Sequence, residues 1–266
     1  MLSNYSSPKA GAEVPVPAAK KVTPKRLWWA IIFFPIWVLA AYVASSLITS
    51  IILEILVALH VPLKNIDESI LETVVALIVY GFSLLLTVGL PWIMPKLKHW
   101  QLSWKELGFT RWPSWSDIIW GPVGFAIAMI LATVLLSIAK IIVPALNVDQ
   151  SQDTGYSGIH ASYQYYLAFF TLVILAPLAE ETLFRGFLFG RLRTYLPAWV
   201  AVVVSAGLFG LVHGQWNLGI TMFAMGVVLA SLRQLTGSIW AGVMLHMVKN
   251  GVAFYFLFIS PLLLLH

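Results

Sequence analysis

A chain of 266 residues that is 60% hydrophobic and only 10% charged cannot cover a water-facing surface with polar groups, so a soluble domain is excluded. Its formal charge of +5 sits mostly between apolar runs, where it reports membrane orientation rather than nucleic-acid binding. Cysteine is absent, which excludes disulfides, thiolate metal ligands and a cysteine nucleophile.

Residues 1–26 are rich in Pro, Ala, Ser and Lys without an apolar period and read as a disordered basic tail. A spanning helix needs about 20 apolar residues. Seven runs meet or approach that length, near 27–58, 74–94, 118–143, 165–189, 196–212, 216–232 and 239–265. The expected fold is therefore an all-α, polytopic transmembrane helical bundle of about seven spanning helices. The first run is too long for a cleaved signal peptide; with Pro35 and Glu54 inside it, it is expected to tilt, kink or project from the bilayer. Between the second and third runs, Lys96, Lys98, Lys105 and Arg111 alternate with Trp100, Trp104, Trp112, Trp115 and Trp120, a pattern suited to anchoring in the headgroup layer. Summed over alternate segments, thirteen Lys and Arg fall on one side against Lys64 on the other. That bias predicts a cytoplasmic amino terminus and an external carboxyl terminus.

Polar residues at membrane depth mark the candidate chemistry. Glu180 and Glu181 are adjacent within an apolar run, and an intramembrane charge costs about 2.5–3.5 kcal/mol on insertion scales. Glu181 and Arg185 are one turn apart and suit an intrahelical ion pair. Glu180 points about 100° away and is free to face something else. Pro177 has no N–H to donate, so a kink that admits water is expected just before the pair. Phe209 with His213, and His246 with Asn250, share faces in two later runs. At a rise of ~1.5 Å per residue from the presumed cytoplasmic ends, Glu180 lies at about 20 Å, His213 at about 24 Å, His246 at about 12 Å and Asn250 at about 18 Å. One shared site is geometrically possible. Glu54 and Lys140 lie near helix ends and read as interfacial. Gly186, Gly190, Gly210 and Gly214 form small-xxx-small pairs expected to bring helices close. Gly155-Tyr156-Ser157-Gly158 matches a serine-protease pattern but falls in a hydrophilic stretch, where a Gly/Ser turn is the simpler reading. No HExxH zinc motif is present.

Glu180-Glu181-xxx-Arg185, Phe209-xxx-His213 and His246-xxx-Asn250 resemble the three ordered motifs of the CAAX prenyl endopeptidase and bacteriocin-processing (CPBP, or abortive-infection) family of intramembrane proteases. The resemblance covers about residues 165–260 and implies three parts: the tail 1–26, transmembrane helices 1–3 with the Trp-rich loop over 27–163, and a CPBP-like catalytic core over 164–266. It implies that Glu180 activates water with help from His213, that Glu181 and Arg185 support it, and that His246 and Asn250 stabilise the oxyanion. The substrate would be a peptide or lipidated protein reached through membrane lipid, with no nucleic acid partner, and the setting an integral protein of a prokaryotic plasma membrane. Glu180, His213 and His246 could also hold zinc. Metal-independent chemistry is preferred, because neither histidine has an orienting carboxylate in its own helix and Asn250 suits a donor role. Lys249 departs from the expected motif and would snorkel or pair with a carboxylate. The chain ends soon after Asn250, so any further terminal helix of the family is expected to be missing or replaced. The rival readings are a non-catalytic immunity or scaffold protein of the same family and a transporter with proton-coupling carboxylates.

Overall fold

A computed structural model describes residues 24–148, 156 and 159–263. Residues 1–23 of the expected tail 1–26, and Gly155, Ser157 and Gly158 of the serine-protease match, lie outside the described residues. Seven long helices follow one another: α1 (Pro24–Ala58), α2 (Glu68–Ile93), α3 (Trp115–Ile142), α4 (Ser162–Arg193), α5 (Ala198–Leu211), α6 (Trp216–Thr236) and α7 (Trp240–Ile259). There is no strand among the described residues. The fold is the expected all-α polytopic bundle, and the protein is an integral membrane protein.

Six of these helices are long and apolar enough to cross a bilayer. The exception is α5. Its 14 residues reach only about 21 Å at the helical rise, short of a hydrocarbon core of about 30 Å. The turn at 212–215 therefore comes before α5 has reached the length of a full span. Helix α1 begins three residues before the expected start and runs through Pro35 as one helix.

Three prolines explain much of the local backbone. In α2, α4 and α7 a wide π-helical turn occupies Leu85–Gly89, Phe170–Leu175 and Tyr255–Ile259. Each is followed by a residue whose N–H donates five residues back: Leu90 to Leu85, Ala176 to Thr171 and Ser260 to Tyr255. The next residue is Pro91, Pro177 or Pro261, which has no N–H to continue that register. Widening the turn moves the preceding carbonyls away from the ring. The expected break before Glu180 thus takes the form of a π turn. A fourth π turn, Thr182–Leu188, needs no proline and carries Arg185.

Helix α6 packs against α3, α5 and α7. The apolar core unites Phe34 and Val38 of α1, Leu188 and Leu192 of α4, Phe209 of α5, Met225 and Leu229 of α6, and Leu245 of α7. The loop before α3 enters this core as well as resting outside it: Leu102 and Leu107 are buried, whereas Trp104, Trp112 and Trp115 are 70%, 86% and 82% exposed. Gly186 permits the loop's entry, because a Cβ there would lie 2.8 Å from the Leu107 carbonyl oxygen. The first glycine pair therefore packs a loop rather than a helix. Gly210 does face a helix, meeting Gly219 of α6 backbone to backbone. Gly214 adopts φ +72° in the 212–215 turn, a conformation that favours glycine.

Candidate active site

Glu181 and Arg185 are fully buried in α4, and Arg185 Nη1 donates to Glu181 Oε1 at 2.9 Å. Arg185 also lies over the Phe209 ring, 4.2 Å from its centroid, a favourable cation–π position. Its Nη2 approaches the Gly226 carbonyl at 3.5 Å. Helix α7 presses on the pair from the other side, since a Cβ at Gly242 would lie 2.9 Å from Glu181 Oε2.

His246 of α7 stands between the two glutamates. Its Nδ1 is 3.2 Å from Glu181 Oε1 and its Nε2 is 3.9 Å from Glu180 Oε2. The first is within hydrogen-bond reach and the second is too long for a hydrogen bond. The ring is buried and packs edge-on against Phe209 at 5.8 Å. The orienting carboxylate that its own helix lacks is supplied by α4, which removes one of the sequence arguments against a metal ligand.

Glu180 turns from its neighbour into a cavity of about 250 Å³. Val38, Leu39 and Tyr42 of α1, Tyr80 of α2, Glu180, Leu183 and Phe184 of α4, and Val212 and His213 at the end of α5 line it. The Tyr80 hydroxyl donates to Glu180 Oε1 at 2.7 Å. His213 Nδ1 is 2.7 Å from the Phe209 carbonyl oxygen. A carbonyl only accepts, so Nδ1 carries the proton and Nε2 of the neutral ring is an acceptor. The short α5 is what brings this imidazole to the cavity.

Asn250 is half-buried outside this lining, and its Nδ2 donates to the Leu172 carbonyl at 2.7 Å. In the π register that carbonyl belongs to the N–H of residue 177, which is proline. Asn250 thus satisfies a backbone group that Pro177 orphans. Lys249 is half-buried and lies within electrostatic reach of Glu180, His213 and His246.

All the residues singled out from the motifs lie in one region. Glu180, Glu181, Arg185 and His246 form a contiguous cluster, His213 shares the cavity with Glu180, and Asn250 supports the backbone below. Among the described residues no three His, Cys, Asp or Glu side chains form a set that could hold a metal ion. Tyr42 and Tyr80 were not singled out in the sequence. They stand in ordinary apolar runs, and the one available signal was a phenol at membrane depth.

Residues 162–252 match the sequence model described as type II CAAX prenyl endopeptidase Rce1-like. Among similar proteins, "Membrane-embedded CAAX protease MroQ" of Staphylococcus aureus (strain USA300) is 26% identical over 150 residues, 54% of this chain and 60% of its own length. YdiL of Bacillus subtilis (strain 168) is 26% identical over 134 residues, 50% of this chain and 54% of its own length. An "Uncharacterized 24.3 kDa protein" of Escherichia coli is 33% identical over 95 residues, 34% of this chain and 44% of its own length. The chain spans about half the length of the curated relatives it matches. No solved structure matches it significantly. The three motifs stand in order on α4, α5 and α7 within this matched segment, so the similarity to CAAX prenyl endopeptidases rests on the part of the chain that carries them.

Proposed function

We propose that the chain is an intramembrane endopeptidase that hydrolyses a peptide bond in a membrane-associated or lipidated substrate, with Glu180 activating water. The observation that carries this reading is a carboxylate and an imidazole acceptor lining one cavity between the helices. Tyr80 holds Glu180 Oε1, leaving Oε2 to take a proton from water. His213 Nε2 is a second acceptor for the same water. As water oxygen bonds to the scissile carbonyl carbon, its proton passes to Glu180. Glu180 then returns the proton to the amine nitrogen as the C–N bond breaks. Glu181 accepts from His246 Nδ1 and so fixes the ring's orientation beside Glu180. Arg185 holds Glu181 in turn. The match to CAAX endopeptidases supports a lipidated, CAAX-type substrate class.

Glu180→Gln is expected to lower turnover by about 10²- to 10⁴-fold while leaving the protein folded, because the amide keeps the shape but cannot accept the proton. Proteomics of membranes carrying wild type or Glu180→Gln reads this directly as new amino termini that are present only with wild type. Identical termini from both would remove Glu180 as the base; an unchanged phenotype would favour the scaffold reading. Exhaustive chelation is expected to leave turnover intact. Activity lost on chelation and restored by equimolar zinc would overturn the metal-independent form.

A further inference from the structure

Hydrolysis puts negative charge on the carbonyl oxygen, and a positioned donor for that oxygen is worth about 10²- to 10³-fold in kcat. The family pattern gives this task to His246 and Asn250. In this chain both point elsewhere: the His246 ring nitrogens face Glu181 and Glu180, Asn250 Nδ2 is on the Leu172 carbonyl, and neither residue lines the cavity.

The cavity's own polar groups are Tyr42, Tyr80, Glu180 and His213. An ionised Glu180 has no hydrogen to give. His213 spends its Nδ1 hydrogen on the Phe209 carbonyl, and Tyr80 spends its hydroxyl on Glu180. What remains is Tyr42. Among the described residues its hydroxyl has no hydrogen-bond partner, yet it lies within electrostatic reach of both Glu180 and Tyr80. The residue is 41% exposed and contributes to the cavity lining. Val38 and Tyr42 stand one turn apart on the same wall, and Val38 is anchored in the core.

We infer that Tyr42 is a further catalytic residue, whose hydroxyl donates to the carbonyl oxygen of the scissile bond while Glu180 activates water on the other side. The inference rests on the protease reading. As the new C–O bond forms, the carbonyl π pair moves onto oxygen and accepts the Tyr42 hydrogen bond. The phenol keeps its proton, and the pair returns when the C–N bond breaks. A chemical group of the reaction thereby comes from α1, outside the matched segment 162–252.

The test compares wild type, Glu180→Gln, Tyr42→Phe and Tyr42→His in proteoliposomes, using an internally quenched peptide that ends in a farnesylated CAAX sequence. Tyr42→Phe should lower kcat by about 10²-fold with KM changed less than about threefold. Tyr42→His, which restores a donor, should recover part of the loss. Wild-type kcat in Tyr42→Phe overturns the assignment, and so does a loss confined to KM. So does equal loss in Tyr42→His and Tyr42→Phe when both melt like wild type. Failure of the parent reading looks different: no wild-type turnover, or turnover that survives Glu180→Gln, removes the protease and the role of Tyr42 together.

Discussion

Arg185 and Glu181 have no accessible surface, and two buried charges are tolerated only while they satisfy each other. Removing one partner leaves an uncompensated charge and costs about 3–5 kcal/mol. Glu180 borders a cavity, and its amide variant keeps an acceptor for the Tyr80 hydroxyl. Arg185→Ala is therefore expected to reduce folded yield and melting temperature in detergent far more than Glu180→Gln does. Equal melts for the two variants and wild type would show that the pair contributes nothing to the fold. The two adjacent carboxylates so divide into one that builds the site and one that faces the cavity, a division set by the angle between neighbours on a helix.

The π turns put Asn250 in a different light. If it serves the carbonyl that Pro177 orphans, the two residues are energetically coupled. Asn250→Ala should cost about 1–3 kcal/mol, the usual penalty for leaving a buried acceptor unpaired. In a Pro177→Ala background the chain regains an N–H, and the same substitution should cost less than about 0.5 kcal/mol, the scatter expected of independent sites. A double-mutant cycle by chemical denaturation in micelles measures this, and additive effects would dissolve the link. Near the start of α4, Asp67 caps α2 through the Ser69 and Ile70 N–H groups and accepts from Tyr163 and Gln164. Desolvation pushes its carboxyl upward, but these hydrogen bonds outweigh it and hold the group below its ordinary value. Its contribution to stability is therefore complete above the unfolded value of about 3.9 and is lost as pH falls through the lower folded value. Melting temperatures of wild type and Asp67→Ala should converge only in strong acid.

For the whole molecule, most of the described basic residues and of the exposed tryptophans lie towards one end of the bundle. Arg233 Nη2 donates to the Glu106 carbonyl, Trp240 Nε1 to the Arg111 carbonyl and Arg191 Nη2 to the Gln101 carbonyl. The ends of α4 and α6, the start of α7 and the Trp-rich loop thus form one surface. Arg185 leaves the charge count because it is buried beside Glu181, so twelve basic residues remain on that side. Lys140 is exposed near the far end of α3 and joins Lys64 there. We propose that the basic end is cytoplasmic. Reporter fusions after Arg193 should read cytoplasmic, and fusions at Ser157 or His266 external. A cytoplasmic signal from His266 would contradict the seven-helix path. The cavity draws on α1 and α2 as well as α4 and α5, so cleaving the chain between 163 and 164 should abolish activity even if both parts insert.

Composition and run length alone determined that this is a helical membrane protein, because a bilayer leaves the backbone few alternatives. Spacing within single helices was equally legible: the Glu181–Arg185 pair and the divergence of Glu180 follow from 3.6 residues per turn. Relations between helices were not. The Glu181 contact to His246, Tyr80 on Glu180 and Tyr42 in the cavity wall depend on how α1, α2, α4 and α7 are turned about their axes, and apolar helices in lipid carry almost no amphipathic signal to fix that turn. The role of Asn250 needed both scales, since Pro177 announces a missing N–H but only the packed bundle shows which side chain answers it.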